Sequence, residues 1–350
     1  MTTVVDSLGF AGAVASLPDQ FGEALAVASS VDLGPLSGKG FTNIAVCGMG
    51  GSGISGDVLA VAGSHDLTVP VTVLKQYRAP RSVGPGTLFF AMSYSGGTEE
   101  TLEATAGALA AGARVVAVCS GGELADLAGR AGAPVIACPP GFMPRAALGH
   151  LATPLFVVCD RLGLLPGGET AVKAAQTQAA RRRDACRPEV EGPANPAREL
   201  ARRIGRTFPL LWGTGALGAV AAYRWKADVN ENAKAPAFWN AFPELDHNEI
   251  CAFGQHGDVT RQVVTLVELR HSHEHPQLGR RVEATRAIVE ETVASVLEVR
   301  AEGDGRLAQL VDLMYLGDWV SLYMAFDAGV DPGPIDAIAQ LKSELAQHAG

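Results

Sequence analysis

Residues 43–62 read NIAVCGMGGSGISGDVLAVA, and the order of residue types in this stretch decides the fold. Asn43–Cys47 is a short apolar run typical of a buried strand, and Ile54–Ala62 has the composition of a helix. Between them lies the glycine-rich loop Gly48–Gly53, where main-chain amides at a helix start can face an anion and Ser52 adds a hydroxyl. The stretch therefore predicts a strand, an anion-binding loop and a helix.

The same pattern of strand, turn and helix continues along the chain. Most of the following apolar or β-branched runs end in glycine or serine and lead into helical stretches such as Glu99–Ala111. Continuous apolar strands that alternate with helices indicate a parallel sheet covered on both faces. The predicted strands after the first are Val69–Lys75, Thr87–Ser93, Arg114–Ser120 and Pro134–Cys138.

A second unit begins near Phe208. It repeats the opening pattern with an apolar run at Phe208–Trp212, a glycine loop at Gly213–Gly218 and a helix at Ala219–Val229, which indicates a diverged internal duplication. Further on, the sequence predicts one strand and two long helices, at Val263–Glu268, Ala284–Val299 and Leu307–Gly329.

The predicted fold class is α/β, with two tandem doubly wound parallel-sheet domains of the flavodoxin-like type and a helical C-terminal segment. The polar segment between the two units contains the basic run ARRRDACR (residues 180–187) and several helix breakers, and we interpret that run as a solvated helix face. The predicted domains are residues 1–165 and 196–350, with residues 166–195 as a linker or crossover helix.

A dinucleotide-binding fold is the first alternative. Gly51, Gly53 and Gly56 have G-x-G-x-x-G spacing, but that motif alone is weak. A nicotinamide enzyme places an acid that binds ribose at the end of the second strand, whereas this run ends in Lys75 and Gln76. The sequence therefore disfavours a dehydrogenase.

A second anion-binding loop is more specific. Residues 93–101 read SYSGGTEET, so that Ser93, Ser95 and Thr98 surround two glycines after a strand and before a helix. Hydroxyls and exposed amides can bind a phosphate monoester without a metal. The alternative is a simple helix cap, for which one hydroxyl would suffice. Three hydroxyls favour a phosphate site.

Groups suited to proton transfer are concentrated in residues 228–249, DVNENAKAPAFWNAFPELDHNE. Glu231 and His247 lie there among aromatic and proline residues, and a carboxylate and a histidine near an apolar wall can move protons at neutral pH. The alternative is an ion-pair network that braces a loop. Arg145, in the loop PPGFMPR after the last strand of the first sheet, could bind a phosphate or a substrate hydroxyl, and a surface arginine is equally compatible with the sequence.

Composition excludes several classes of protein. The formal charge of −9 and a pI near 5.4 argue against a nucleic-acid surface. No apolar run reaches membrane-spanning length, and Met1–Phe10 has no signal-peptide pattern. The six cysteines have no CxxC pair and are interpreted as buried thiols in a reducing cytoplasm. The histidines of HSHEH (residues 271–275) have no matching second ligand cluster and suit an exposed loop, so no metal site and no cofactor are predicted.

Taken together, the motifs resemble the bifunctional phosphoglucose/phosphomannose isomerases of archaea and bacteria, a branch of the sugar isomerase (SIS) domain superfamily. The resemblance spans nearly the whole chain. It is carried by GMGGSG, SYSGGTEET, PPGFMPR, ENAKAPAF, PELDHNEI and GVDPGPIDAIAQLKSEL.

The resemblance implies a metal-independent aldose–ketose isomerase that converts glucose 6-phosphate, mannose 6-phosphate or both to fructose 6-phosphate through a cis-enediolate. Glu231 would be the base, Arg145 would lie near the reacting carbons, and Lys342 would lie near the ring oxygen. His247 would assist ring opening in the site of the partner subunit, which implies a homodimer. The implied phosphate-binding residues are Gly50, Gly51, Ser52, Ser93, Ser95 and Thr98.

The chain departs from the family pattern at Gly333, where relatives often have threonine, and at Asp246, where asparagine is common. The main functional alternative is a non-catalytic sugar-phosphate sensor, since related domains serve regulators. Met1–Thr42 is too short and too apolar for the DNA-binding module that such regulators usually carry. Together, Glu231, His247 and Lys342 favour an enzyme.

Overall fold

The computed structural model describes residues 5–36 and 40–348. Two short helices open the chain, and a five-stranded parallel sheet with its covering helices follows. The elements of this part are α1 Phe10–Ala15, α2 Leu17–Ser30, β1 Asn43–Gly48, α3 Gly50–Ala62, β2 Val71–Leu74, β3 Thr87–Met92, α4 Glu99–Ala110, β4 Arg114–Cys119, α5 Gly122–Arg130, β5 Val135–Ala137, α6 Leu148–Arg161 and α7 Gly168–Cys186.

A four-stranded parallel sheet and its helices form the rest of the described chain. Its elements are α8 Pro196–Ile204, β6 Phe208–Thr214, α9 Gly215–Asn232, β7 Phe238–Phe242, α10 Gly257–Val263, β8 Val264–Arg270, α11 Pro276–Val289, β9 Ser295–Arg300, α12 Gly305–Ala328 and α13 Asp336–His348.

The two sheets share one topology. The strand order is β2-β1-β3-β4-β5 in the first sheet and β7-β6-β8-β9 in the second, so the second repeats the first without its fifth strand. Neighbouring strands are parallel in both sheets. The doubly wound fold class and the internal duplication are therefore confirmed. The domain limits 1–165, 166–195 and 196–350 remain our proposal.

Helix α12 joins the two halves. Its residues from Leu307 to Ala325 are buried all round, as expected for a helix enclosed by other elements rather than lying on a surface. It packs against α7, α8 and α9, and its apolar side chains belong to a core cluster that extends into the first half of the chain. The two sheets are thus held against one shared helical layer.

The structure corrects several local predictions. Residues 284–299 are not one helix, because α11 ends at Val289 and β9 begins at Ser295, with alternate residues Leu297 and Val299 buried as in a strand. The edge strand β7 was not predicted because its sequence gives no alternating pattern of apolar and polar residues. In the structure its first two residues, Phe238 and Trp239, are both exposed.

Two further interpretations fail at single residues. The basic run in α7 is not wholly solvated, because Arg182 is buried and donates two hydrogen bonds to the Asp312 carboxylate, at 2.8 and 2.7 Å. Five of the six cysteines are buried free thiols, but Cys251 is exposed. In the part of the chain that the structure describes, no helix is both long and apolar enough to cross a bilayer.

Candidate active site

The strand order of the first sheet reverses between β1 and β3, and ligands of doubly wound sheets bind in the crevice at this point. The residues after β1 and those after β3 flank the crevice, and they are the two predicted anion loops. A buried hydrogen bond of 3.0 Å, donated by the Tyr94 main-chain amide to Ser52 Oγ, joins them. The fold therefore brings two loops 40 residues apart into one site.

The first loop is the first turn of a helix rather than a separate loop, because α3 begins at Gly50. Glycine is needed here for close approach. A Cβ on Gly51 would lie 2.7 Å from the carbonyl of Pro144, and a Cβ on Gly48 would lie 2.8 Å from the carbonyl of Met92. The N-cap residue Met49 makes no side-chain cap, so the first amides of α3 are available to an anion.

The second loop has its hydroxyls turned towards one another. Ser93 Oγ and Thr98 Oγ1 are 2.8 Å apart, and Ser93 Oγ also accepts the Gly96 amide at 3.1 Å. Thr98 occupies the N-cap position of α4 but makes no side-chain cap, which contradicts the simple-cap alternative. Ser95 is exposed and accepts the Gly97 amide at 3.3 Å. Of the three hydroxyl residues, Ser93 is buried, Thr98 is half-buried and Ser95 is exposed.

The loop PPGFMPR closes one side of the site. Tyr94 Oη donates to the Pro139 carbonyl at 2.6 Å and accepts the Phe142 amide at 2.7 Å, which fixes this loop to the second anion loop. Arg145 follows in a 3₁₀ turn, Pro144–Ala146, and is 4% exposed. The alternative of a surface arginine is therefore wrong.

Three hydrogen bonds fix the Arg145 guanidinium. Nε donates to Asn232 Oδ1 at 2.7 Å, and Nη2 donates to the carbonyls of Pro332 and Gly333 at 2.8 and 2.7 Å. The ring of Phe10 lies 4.7 Å from the Cζ atom. Burial lowers the pKa of Arg145 and the Glu231 carboxylate opposes that shift, and the arginine stays charged throughout.

Glu231 lies beside the remaining nitrogen of that guanidinium. Its Oε2 is 3.9 Å from Arg145 Nη1, and its side chain is 28% exposed, so a ligand can reach it. Both residues line a cleft of about 260 Å³ between the start of α3 and one face of α9. The lining residues are Gly50, Gly51, Ile54, Arg145, Tyr223, Arg224, Lys226, Ala227, Asp228, Asn230 and Glu231.

The remaining charged residues of the segment 228–249 divide into two groups. Asp246 accepts hydrogen bonds from Arg281 and Thr285 at 2.9 and 2.8 Å, and Glu249 accepts from the Trp212 indole and the Asn240 amide, so these two brace a loop as the alternative predicted. His247 ends the 3₁₀ turn Glu244–His247 and is exposed.

Lys342 is also exposed, on α13, and neither it nor His247 lines the cleft within one chain. Helix α13 also exposes a stripe of Ile338, Leu341 and Leu345. The structure of a single chain therefore brings together Arg145, Glu231 and the first turn of α3, and leaves the other two predicted residues on the surface.

The sequence analysis missed a row of buried polar residues in one wall of the cleft. Arg224, Asp228 and Asn232 recur at four-residue spacing on one buried face of α9, and Asp318 faces them from α12. A polar residue every fourth position within an apolar helix is the signal that could have identified them.

The HSHEH segment differs from the predicted exposed loop at one position. His271 is buried at the end of β8, with Nε2 2.9 Å from the Thr214 carbonyl, and His275 caps α11 by accepting the Gln277 amide. Across residues 5–36 and 40–348, no group of three or more His, Cys, Asp or Glu side chains is arranged to hold a metal ion.

A doubly wound sheet duplicated in tandem, with hydroxyl-rich loops at its switch point, defines the class of sugar isomerase (SIS) domain proteins. Residues 193–345 match the family model described as the bacterial phospho-glucose isomerase C-terminal SIS domain. The hypothetical protein TT0462 from Thermus thermophilus shares the fold with a TM-score of 0.75 and 17% identity, covering 98% of this chain and 92% of its own.

Two relatives carry the more specific assignment. The bifunctional phosphoglucose/phosphomannose isomerase of Caldicellulosiruptor bescii is 34% identical over 334 residues, which is 95% of this chain and 98% of the relative. The protein of the same name from Aquifex aeolicus is 33% identical over 319 residues, 91% and 93% of the two chains. The chain belongs to the bifunctional phosphoglucose/phosphomannose isomerase family.

Proposed function

We propose that the protein is a metal-independent aldose–ketose isomerase acting on hexose 6-phosphates, with glucose 6-phosphate and mannose 6-phosphate as the aldoses and fructose 6-phosphate as the ketose. The observation that carries the proposal is the placement of the Glu231 carboxylate 3.9 Å from Arg145 Nη1, in the cleft that is also lined by Gly50 and Gly51 of the first anion loop. A base and a cation beside a phosphate site are the groups that proton transfer next to a sugar carbonyl requires.

The phosphate would be held by the amides at the start of α3, including those of Gly50 and Gly51, and by the hydroxyls of Ser52, Ser93, Ser95 and Thr98. Such a site needs no metal because uncapped helix amides and hydroxyls supply the donors. Binding the phosphate at one end would place the carbonyl end of the open-chain sugar towards α9, where Glu231 lies.

In the reaction, Glu231 takes the proton from C2 of the open-chain aldose, which leaves a cis-enediolate. The same carboxyl group returns the proton to C1, while one proton moves from the C2 oxygen to the C1 oxygen, so that the carbonyl shifts from C1 to C2. Arg145 Nη1, the one guanidinium nitrogen facing Glu231, would stabilise the negative charge that develops on these oxygens.

Ring opening would use His247 and Lys342, both of which are exposed in the single chain. We infer that they act within a homodimer, in which His247 of the partner subunit enters the cleft. The exposed apolar stripe on α13 supports this inference, because a helix of 13 residues is marginally stable in water without a packed face. Five buried free thiols suit the reducing cytoplasm.

The test is to incubate the purified protein with EDTA and either glucose 6-phosphate or mannose 6-phosphate, and to measure fructose 6-phosphate. Product from at least one aldose in EDTA is the expected result. A protein that binds both sugars in calorimetry but forms no ketose would be a sensor, and the proposal would fail. Loss of turnover in EDTA, restored by a divalent metal, would contradict the metal-independent scheme.

A further inference from the structure

In one wall of the cleft, a buried guanidinium lies between two carboxyl groups. Arg224 on α9 donates to Asp318 on α12 with Nε at 2.9 Å and Nη2 at 3.0 Å. Asp228, one turn further along α9, brings its Oδ2 to 3.3 Å from the same Nε. Each of the three side chains is at most 8% exposed. The arrangement lies next to the catalytic groups, since Arg224 Nη2 also donates to the Arg145 carbonyl at 2.8 Å.

The two carboxyl groups are not equivalent. Both oxygens of Asp318 accept a hydrogen bond from Arg224, as an ionised carboxylate requires. Oδ2 of Asp228 is buried and has no hydrogen-bond partner among the described residues. An ionised oxygen in that situation would lose its hydration for a single 3.3 Å ion contact with Arg224 Nε, which already donates to Asp318, whereas a protonated carboxyl group can donate to a neighbouring acceptor.

The charges of the cluster also indicate that Asp318 is ionised and Asp228 is protonated. The groups that face Asp228 are Arg224 and Glu231 on its own helix, Asp318 on α12 and Arg145 before α6. Two buried guanidinium groups can balance two carboxylates but not three, and the third cation nearby, the exposed Lys234, acts on Glu231 and Arg145 rather than on Asp228. Glu231 reaches solvent and Asp318 is paired through both oxygens, so Asp228 is the group that retains a proton.

We propose that Asp228 is a positioning residue that stays protonated in the working enzyme, so that Arg224 pairs with Asp318 alone and Glu231 remains the ionised base. The effect on catalysis rests on the proposed function, whereas the protonation of Asp228 rests on the buried contacts alone. Burial raises the pKa of Asp228 well above its ordinary value, and although Arg224 opposes this shift, Asp318 and Glu231 add to it.

The consequence for catalysis is electrostatic. A second carboxylate on the turn of α9 before Glu231 would repel the negative charge of Glu231. A neutral Asp228 removes that repulsion, and it leaves the Arg224–Asp318 pair free to fix the main chain of Arg145. The position of Arg145 and the ionisation of Glu231 are thus set by the same buried proton.

The test compares two matched variants, Asp228→Asn and Asp318→Asn. Asparagine reproduces a protonated aspartate in shape and charge, so Asp228→Asn should leave the acid limb of the kcat/KM profile at the native pH. Asp318→Asn removes the charge that Arg224 needs and should lower kcat by about tenfold or more. A downward shift of the acid limb in Asp228→Asn would show that a negative neighbour had been removed, and would overturn the proposal.

A stability measurement separates this proposal from the proposed function, because it needs no turnover. An acid with a raised folded-state pKa destabilises the folded protein progressively as pH rises from its unfolded-state value to its folded-state value. The Tm of Asp228→Asn minus that of the native protein should therefore grow as pH rises above about 4. A difference that shrinks over that range would mean that Asp228 is ionised and paired, and would refute its protonation even in an inactive protein.

If Asp228→Asn does not fold, the native protein provides the same answer. Carboxyl-labelled aspartate should give one carbon resonance that stays at the protonated position at neutral pH in the native protein. Titration of every aspartate resonance below pH 5 would overturn the proposal.

Discussion

Nη1 of Arg145 lies 3.9 Å from Oε2 of Glu231, and these two atoms come from opposite halves of the chain. Arg145 follows the first sheet, and Glu231 lies in the last turn of α9 beside the second. The guanidinium is fixed by three hydrogen bonds, so its remaining nitrogen points in a defined direction towards the cleft. The candidate active site is therefore formed where the two halves of the duplication meet.

Replacing Glu231 with glutamine should remove the base while preserving the shape of the cleft. We expect kcat to fall by roughly 10²–10⁴-fold, with the dissociation constant for fructose 6-phosphate nearly unchanged, because the phosphate loops are intact. Glu283→Gln, on the exposed face of α11, is a matched control that should leave kcat as it is. Full turnover in Glu231→Gln would remove this residue from the mechanism.

A comparison of Ser52→Ala with Ser95→Ala should distinguish an effect on phosphate binding from an effect on stability. Both alanine variants lose a donor to the phosphate and should raise KM by about tenfold or more. Only Ser52→Ala also leaves the buried amide of Tyr94 without its acceptor, which should cost about 1–3 kcal/mol of unfolding free energy. Denaturant titration and steady-state kinetics measure the two effects. Equal stability losses would contradict the assigned contacts, since Ser95 is exposed.

Subunit exchange tests whether His247 acts across an interface. Glu231→Gln and His247→Ala carrying different affinity tags are coexpressed, and the mixed dimer is purified through both tags. If His247 enters the partner's cleft, one of the two sites regains both native residues, and activity should reach about half of the native value per dimer. A mixed dimer with no more activity than its parents would mean that each chain uses its own His247.

Lowering the pH should reduce the unfolding free energy of the protein because of the buried His150 on α6. This imidazole is buried against Phe142 and its Nε2 has no hydrogen-bond partner among the described residues, and burial lowers its pKa to about 4 from 6.5. Since the folded form resists protonation, stability is lost as pH falls from the unfolded-state value of 6.5 towards 4, by about 3 kcal/mol in total.

The measurement is the unfolding free energy between pH 7 and 4 in the native protein and in His150→Leu. The variant should show a flatter dependence on pH, because it has no group to protonate on unfolding. His65→Leu, which removes an exposed imidazole, is the control. An unchanged slope in His150→Leu would assign the acid sensitivity to other groups.

The sequence was sufficient for the features that depend on local pattern. The strands of the first sheet, the repeat of its opening unit near Phe208 and the placement of both anion loops at one sheet edge follow from apolar runs and glycine positions. Strand β9 was mistaken for helix because its residues continue the apolar spacing of α11. Long-range partners have no local pattern, so the contacts of Arg145 with Asn232 and Gly333 could not be predicted.

The buried polar cluster illustrates the same limit. Arg224 and Asp228 show a helical spacing, but their shared partner Asp318 lies about 90 residues further along the chain, on α12. A pattern within one helix can indicate that a polar face is buried, whereas the identity of the group that pairs with it depends on tertiary packing.

The hydrogen bonds that fix Arg145 can form only late in the synthesis of the chain. Two of the three acceptors of its guanidinium are carbonyls 187 and 188 residues downstream. A ribosome that has released Arg145 must still translate most of the second half of the message before these acceptors exist. A stalled or prematurely terminated nascent chain therefore carries an unanchored guanidinium and an incomplete candidate active site.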